Sequence, residues 1–369
     1  MKELLTFPTD ELFQENQVYL TISLDTELAS INSDKNRIKL DQLIKKAEQI
    51  GNENYGAELT AKLVKQAKEF QKDADFQEIG GNNLVLYITP DETYYYLLTR
   101  PIDNGVTVSE RPNLSAVIEN FQYVATYHLL VLSREKMRLF VGQQERLTEV
   151  DMSSDADAPV DVATALGEEY TQTSMNAEGS VFHGQSDASA EKEIDLENYF
   201  RIVDKYIYEN YSKNTHYPLV LFALTENVAE FRRISKNKYL SDYPIEASPV
   251  QLSDNDIQER AAKQVNYVAE VRHSELMERF KETTPQFKLE SQYNDLAFSS
   301  LQGRIDYLLI QKGLEVTGTI DDEGQYVPSP KDDYLSRLIW NTLHAKGKVY
   351  LLDADKMPEG IQIAAVLRY

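Results

Sequence analysis

Short apolar runs rich in β-branched and aromatic residues alternate along this chain with stretches of helical periodicity, a pattern that layered α/β structure satisfies. Residues 18–24 (VYLTISL) form the first strand candidate. In residues 36–50 the side chains Leu40, Leu43, Ile44 and Ala47 recur at three and four residues and so share one helix face. Leu59, Leu63, Ala67 and Phe70 mark a second such helix. Residues 84–89 and 94–99 flank a Pro-Asp-Glu turn and read as a β-hairpin. Residues 127–133 and 137–142, separated by Arg134, Glu135 and Lys136, read as another, apolar enough for interior strands. Further along, Leu196, Tyr199, Phe200, Val203 and Ile207 define a long helix, and residues 217–224 (YPLVLFAL) a buried strand. Beyond a polar connection at 244–253, Ile257, Ala261, Val265, Val268 and Leu276 mark another long helix. Strands at 305–310 and 349–352 then flank a helix with core face Tyr334, Leu335, Leu338, Ile339 and Leu343. For 369 residues this predicts an α/β protein of three domains, 1–108, 109–245 and 246–369.

Composition narrows the chemistry. With no cysteine there is no disulfide framework, thiolate metal site or cysteine nucleophile, which fits a reducing, cytoplasmic setting. The five histidines are scattered and form no HExxH pair, so no metal or other cofactor is expected. GxGxxG, P-loop, GxSxG, kinase and EF-hand patterns are absent. No apolar run is long enough to cross a bilayer and residues 1–10 carry no signal-peptide pattern, so no membrane partner is expected. A net charge of −22 repels nucleic acid at long range unless basic residues are segregated, and no DNA partner is expected.

Charge is nevertheless uneven. Residues 35–72 carry nine basic side chains, Lys35, Arg37, Lys39, Lys45, Lys46, Lys62, Lys65, Lys68 and Lys72, against five acidic ones, a local charge of +4. That helical pair is the candidate phosphate-facing surface, with an ordinary solvated helix face as the alternative. Residues 151–200 are the reverse, with twelve carboxylates against Lys192. Rich in Ser, Ala, Thr and Gly as far as Ser189, residues 151–189 have too few large apolar groups to offset ordering, and are expected to form a mobile acidic loop.

At the end of that segment stands His183-Gly184-Gln185-Ser186, after the second hairpin and before the long helix and the strand LVLFAL. This order resembles the middle domain of the archaeo-eukaryotic class-1 release factors, where a Gly-Gly-Gln-Ser loop stands between a β-hairpin and a long helix. Residues 347–369 (GKVYLLDADKMPEGIQIAAVLRY), closing in Leu367-Arg368-Tyr369, look like the last strands of the family's third domain. With NRIKLDQLIKKAEQ and LVLYIT near the front, the resemblance spans nearly the whole chain and is closest to the bacterial relatives of those factors and of Pelota.

The resemblance implies an N-terminal α/β recognition domain, a middle domain of ribonuclease-H-like topology and a C-terminal α/β sandwich related to kink-turn RNA-binding proteins. It also implies a ribosome or RNA partner, possible protein partners, and hydrolysis of peptidyl-tRNA by a loop carrying Gly184 and Gln185, flanked by His183 and Ser186. Two departures stand out. His183 occupies the position of the family's first glycine, and Glu178, Asp187, Glu191, Glu193, Asp195 and Glu197 surround a loop that is flanked by arginines in the family. The family's Asn-Ile-Lys-Ser stop-codon motif is absent. Two functions follow: release of peptide on stalled ribosomes, or a non-catalytic, Pelota-like binding role.

Overall fold

The computed structural model describes residues 1–26, 29–72, 83–124, 126–167, 185–329 and 333–369, with side chains throughout except at 29–34 and 185–193. Three principal sheets form, each from one stretch of chain. The first has the order β1-β4-β3-β2-β5, with β1 Lys2–Glu3, β2 Tyr19–Leu24, β3 Asn83–Ile88, β4 Thr93–Leu98 and β5 Gly105–Ser109. The second has the order β10-β9-β6-β7-β8, with β6 Tyr127–Leu132, β7 Met137–Gln143, β8 Arg146–Glu149, β9 Leu219–Ala223 and β10 Ile245–Glu246. The third has the order β11-β16-β12-β15, from β11 Lys288–Glu290, β12 Ile305–Gln311, β15 Lys348–Leu352 and β16 Ile363–Leu367. β13 Thr319–Ile320 and β14 Tyr326–Val327 make a separate ribbon. No helix among the described residues is long and apolar enough to cross a membrane.

The described residues fall into two compact units, Met1–Val124 with Val271–Tyr369, and Ala125–Glu270. In the first, strand alternation sorts side chains to opposite faces. Leu84, Leu86 and Ile88 of β3 pack against Leu40, Ile44, Leu63 and Phe70 of the helices Ala29–Tyr55 and Ala57–Lys72. Val85 and Tyr87 face the other way, into a core shared with Val117 and Ile118 of the helix Ser115–Phe121 and with Leu308 and Ile310 of β12. Each such side chain, fully removed from water, contributes about 1.5–3 kcal/mol.

The helix Ser115–Phe121, which the sequence reading puts at the start of the middle domain, therefore packs as a core element of the first unit. Polar clamps fix both sides of it. Asn120 Oδ1 accepts from Arg100 N at 3.1 Å, while Gln122 donates to Leu351 O at 3.1 Å and accepts from Leu351 N at 2.8 Å.

The second unit has three antiparallel strands, β6, β7 and β8, and two parallel additions, β9 beside β6 and β10 beside β9. Read in chain order this is a 3-2-1-4-5 arrangement. Leu130, Leu139 and Leu221 from the sheet pack on Tyr199, Phe200, Val203 and Ile207 of the helix Gln185–Ile207.

Where it is described, the acidic segment is not the mobile loop its composition predicts. Residues 151–167 are folded: Met152, Ala158 and Val162 are buried in the middle core, and Met137 N donates to Val160 O at 2.9 Å. The carboxylates serve as local acceptors. Asp155 accepts from Tyr206 Oη at 2.6 Å, and Asp161 caps the helix Val162–Leu166 by accepting from Thr164 N at 2.7 Å. Three apolar anchors and these hydrogen bonds offset the ordering cost that few large side chains alone would not. Residues 185–189 are helical, so the long helix is already under way five residues before the expected position near 190. Residues 168–184 lie outside the described residues.

Candidate functional site

His183 and Gly184 lie outside the described residues. Gln185 is the first residue of the helix Gln185–Ile207 and Ser186 follows it. At 1.5 Å per residue, the Gln185 backbone stands about 21 Å along the axis from Tyr199, the first fully buried residue among this helix's described side chains.

The far end of that helix is held firmly. Asp204, 5% exposed, accepts from Ser235 Oγ at 2.5 Å and from Lys236 N at 2.8 Å. Beyond Ile207 the helix widens into one π-turn, Tyr208–Ser212, where Ser212 Oγ accepts from Asn237 Nδ2 at 2.9 Å. The start of the helix is thus carried on a rod whose C-terminal half is fixed by packing and buried hydrogen bonds.

Of the carboxylates expected to surround the loop, Glu197 is neutralised within the fold. It accepts from Arg201 Nη2 at 2.5 Å and from Arg233 Nη2 at 2.6 Å, and these bonds lower its pKa. Arg233 also pairs with Glu230 at 2.5 Å. Such exposed pairs contribute little to stability, but they cancel local charge near the middle of the long helix.

The nine basic residues lie on two consecutive helices joined at Gly56, whose φ of 84° turns the chain. Gln71 near the end of the second helix donates to Arg37 O at 3.1 Å and to Asp41 Oδ1 at 3.0 Å, so the helices run antiparallel. Lys62, Lys65, Lys68 and Lys72 recur at three and four residues along one solvent-exposed face. Lys62 and Lys65 pair with Glu58 at 3.3 Å and Glu69 at 3.8 Å, whereas Lys68 and Lys72 have no ion pair among the described residues. Lys39 donates to Asp25 O at 3.1 Å. Lys35, Arg37, Lys45 and Lys46 are exposed on the first helix.

One buried group has no counterpart in the sequence expectations. His128 on β6 is 1% exposed, lies against the rings of Tyr211 and Tyr217 at 5.9 and 5.2 Å, and has its pKa pushed down to about 4 by burial. A lone histidine in an apolar strand carries no sequence signal. Among the described residues, no group of three or more His, Cys, Asp or Glu could hold a metal ion.

A hairpin, a third antiparallel strand, a core-anchored long helix that includes Gln185, and a parallel strand following it make up the second unit. Residues 125–267 match the model of the bacterial archaeo-eukaryotic release factor family 6. Solved structures that resemble it include an archaeal translation termination factor, aRF1, at 12% identity over 98% of this chain and 96% of that one, with a TM-score of 0.23. Dom34 of S. cerevisiae, a translation termination-like factor, is similar at 11% identity over 80% and 81%, with a TM-score of 0.39. A ribosome-bound archaeal Pelota is similar at 11% identity over 97% and 92%, with a TM-score of 0.39. These likenesses are too distant to carry any residue's role across. No curated protein matches the chain.

Proposed function

We propose that this chain is a cytoplasmic, release-factor-like protein that acts on stalled ribosomes and hydrolyses peptidyl-tRNA through Gly184 and Gln185. One observation carries the reading: within the family-matched stretch, Gln185 lies on a long helix whose Tyr199, Phe200, Val203 and Ile207 are anchored in the core of the unit. In this reading the Gln185 backbone N–H donates to the developing oxyanion. Gly184 lets the chain approach RNA closely where a Cβ would intrude. In the reaction, water adds through its oxygen to the ester carbonyl carbon and the carbon–oxygen bond to tRNA breaks. The peptide leaves as its acid, and the tRNA ribose oxygen takes up the proton. The Gln185 side chain shapes the water's pocket.

The test is peptide release from purified stalled complexes. Gln185→Ala keeps the backbone N–H but removes the side chain that shapes the water's pocket, and is expected to slow release about 100-fold, the scale of misplacing a reacting group. Release at the unaltered rate would remove the catalytic claim.

His183, in place of a glycine, favours a second reading, a non-catalytic ribosome-, RNA- or protein-binding role. Ribosome co-sedimentation that survives deletion of residues 168–184, with no release activity in the intact chain, would favour it.

Under either reading the lysine stripe faces phosphates. Lys68→Glu with Lys72→Glu is expected to weaken RNA binding and to flatten the dependence of log affinity on log salt by about two, one for each phosphate no longer neutralised. An unchanged slope returns these lysines to an ordinary solvated face.

A further inference from the structure

A cavity of about 610 Å³ in the first unit is bounded by β5 and the residues that follow it, by Asn54 and Tyr55 at the end of the first long helix, and by the start of the helix Tyr334–His344. Two guanidinium groups line it, Arg111 and Arg337, both half-buried. In a chain of net charge −22, neither has an ion pair among the described residues, and the Nε of each is buried without a hydrogen-bond partner.

Arg111 is held in a fixed plane. Its guanidinium carbon lies 4.1 Å from the centre of the Trp340 ring, and its Nη1 donates to Glu110 O at 3.0 Å. Trp340 in turn stacks on His344, centre to centre 4.7 Å, with the rings inclined by 16°. Arg337 sits one turn before Trp340 on the same helix and lines the cavity. Burial, and then the charge of Arg337, push the Arg111 pKa down, against the opposing charges of Glu110 and Glu15. Two carboxylates also line the cavity: Glu110, and Asp333, which is already engaged, accepting from Leu335 N at 3.0 Å and from Ser336 Oγ.

Two guanidinium groups lining one cavity with no ion pair cost stability, and a bridging anion removes that cost while using the fork geometry of both side chains. The volume falls within the range of small-ligand sites, and Tyr55 supplies an aromatic wall. We propose that this cavity binds a phosphate-bearing ligand of nucleotide size through Arg111 and Arg337. The phosphate belongs either to a free nucleotide or to an RNA backbone.

The test uses the full chain, with thermal unfolding and calorimetry against inorganic pyrophosphate, AMP, GMP and a short RNA oligonucleotide at matched ionic strength. At least one probe is expected to raise the unfolding midpoint, and Arg337→Gln to weaken its binding at least ten-fold. Without ligand, Arg337→Gln is expected to unfold no earlier than the parent, because it relieves repulsion; an arginine that merely supported the fold would lower the midpoint. Binding of mononucleotides assigns a free ligand, and binding of the oligonucleotide alone assigns RNA backbone. No shift with any probe, equal binding by Arg337→Gln, or a lowered midpoint for the unliganded variant each overturns the proposal. The site is independent of Gln185, so Arg337→Gln is expected to leave the effect of Gln185→Ala on release unchanged.

Discussion

Gly347→Ala is expected to destabilise the first unit by at least about 3 kcal/mol, read as a fall in the urea midpoint at unchanged slope. A Cβ at this position would stand 2.7 Å from Ile305 O and 2.9 Å from Thr342 O, closer than real Cβ atoms come to backbone. Neither carbonyl can retreat cheaply. Thr342 O accepts from Gly347 N at 2.8 Å and closes the end of the helix Tyr334–His344, while Ile305 opens the central strand β12 and is fully buried. Gly360→Ala is the matched control. Its φ of 76° strains any side chain, but nothing lies within 4 Å of the added methyl, so its cost is about 1–2 kcal/mol from backbone strain alone. Equal effects at the two sites would show that the close approach at Gly347 relaxes.

Acid is expected to weaken the middle unit through His128. Its folded pKa of about 4 lies below the unfolded value of 6.5. Between those limits the unfolded chain binds a proton that the folded chain refuses. Stability therefore falls as pH drops from 6.5 toward 4, by up to about 3 kcal/mol. The carboxylates titrate in a different window. Glu11, held down to about 2 by hydrogen bonds from Lys2 and then Thr9, contributes stability present above 4.5 that is lost only as pH falls toward 2. Asp155, lowered first by Tyr206, and Asp161, lowered by Thr164, likewise act below the ordinary carboxylate range. His128→Phe keeps a ring against Tyr211 and Tyr217 and cannot titrate. Urea midpoints of the variant are expected to be level between pH 6.5 and 5, where the parent declines; parallel declines would place the acid sensitivity elsewhere.

The hairpins are legible in the sequence because both partners of each pair are apolar runs separated by a short polar turn, and β3 with β4 and β6 with β7 pair in that order. The helix Gln185–Ile207 is legible by periodicity in its core-facing half alone. Its first turns carry Ser, Ala, Asp and Glu, whose composition reads as loop whether or not the backbone is helical. The folding of residues 151–167 escapes the same reading, because a carboxylate that caps a helix and one that is merely solvated look alike in a string of letters. Arg111 and Arg337 come from distant parts of the chain, and only the third dimension brings them to one cavity. The dipeptide Gly184-Gln185 is distinguished by its order among other elements, and it falls within the stretch that the family match covers.

The first unit is discontinuous, since Met1–Val124 needs Val271–Tyr369 to complete it. The face of the first sheet carrying Val85, Tyr87 and Tyr96 is covered by side chains such as Leu308, Leu338 and Ile363, which are synthesised far later. At ordinary elongation rates that interval is roughly 10–50 s. Throughout it a nascent chain presents an uncapped aromatic surface, while the middle unit, continuous in sequence, can already close. Chaperone dependence during synthesis should therefore concentrate on the amino-terminal sheet, and slowing translation after residue 124 should lower soluble yield more than slowing it earlier.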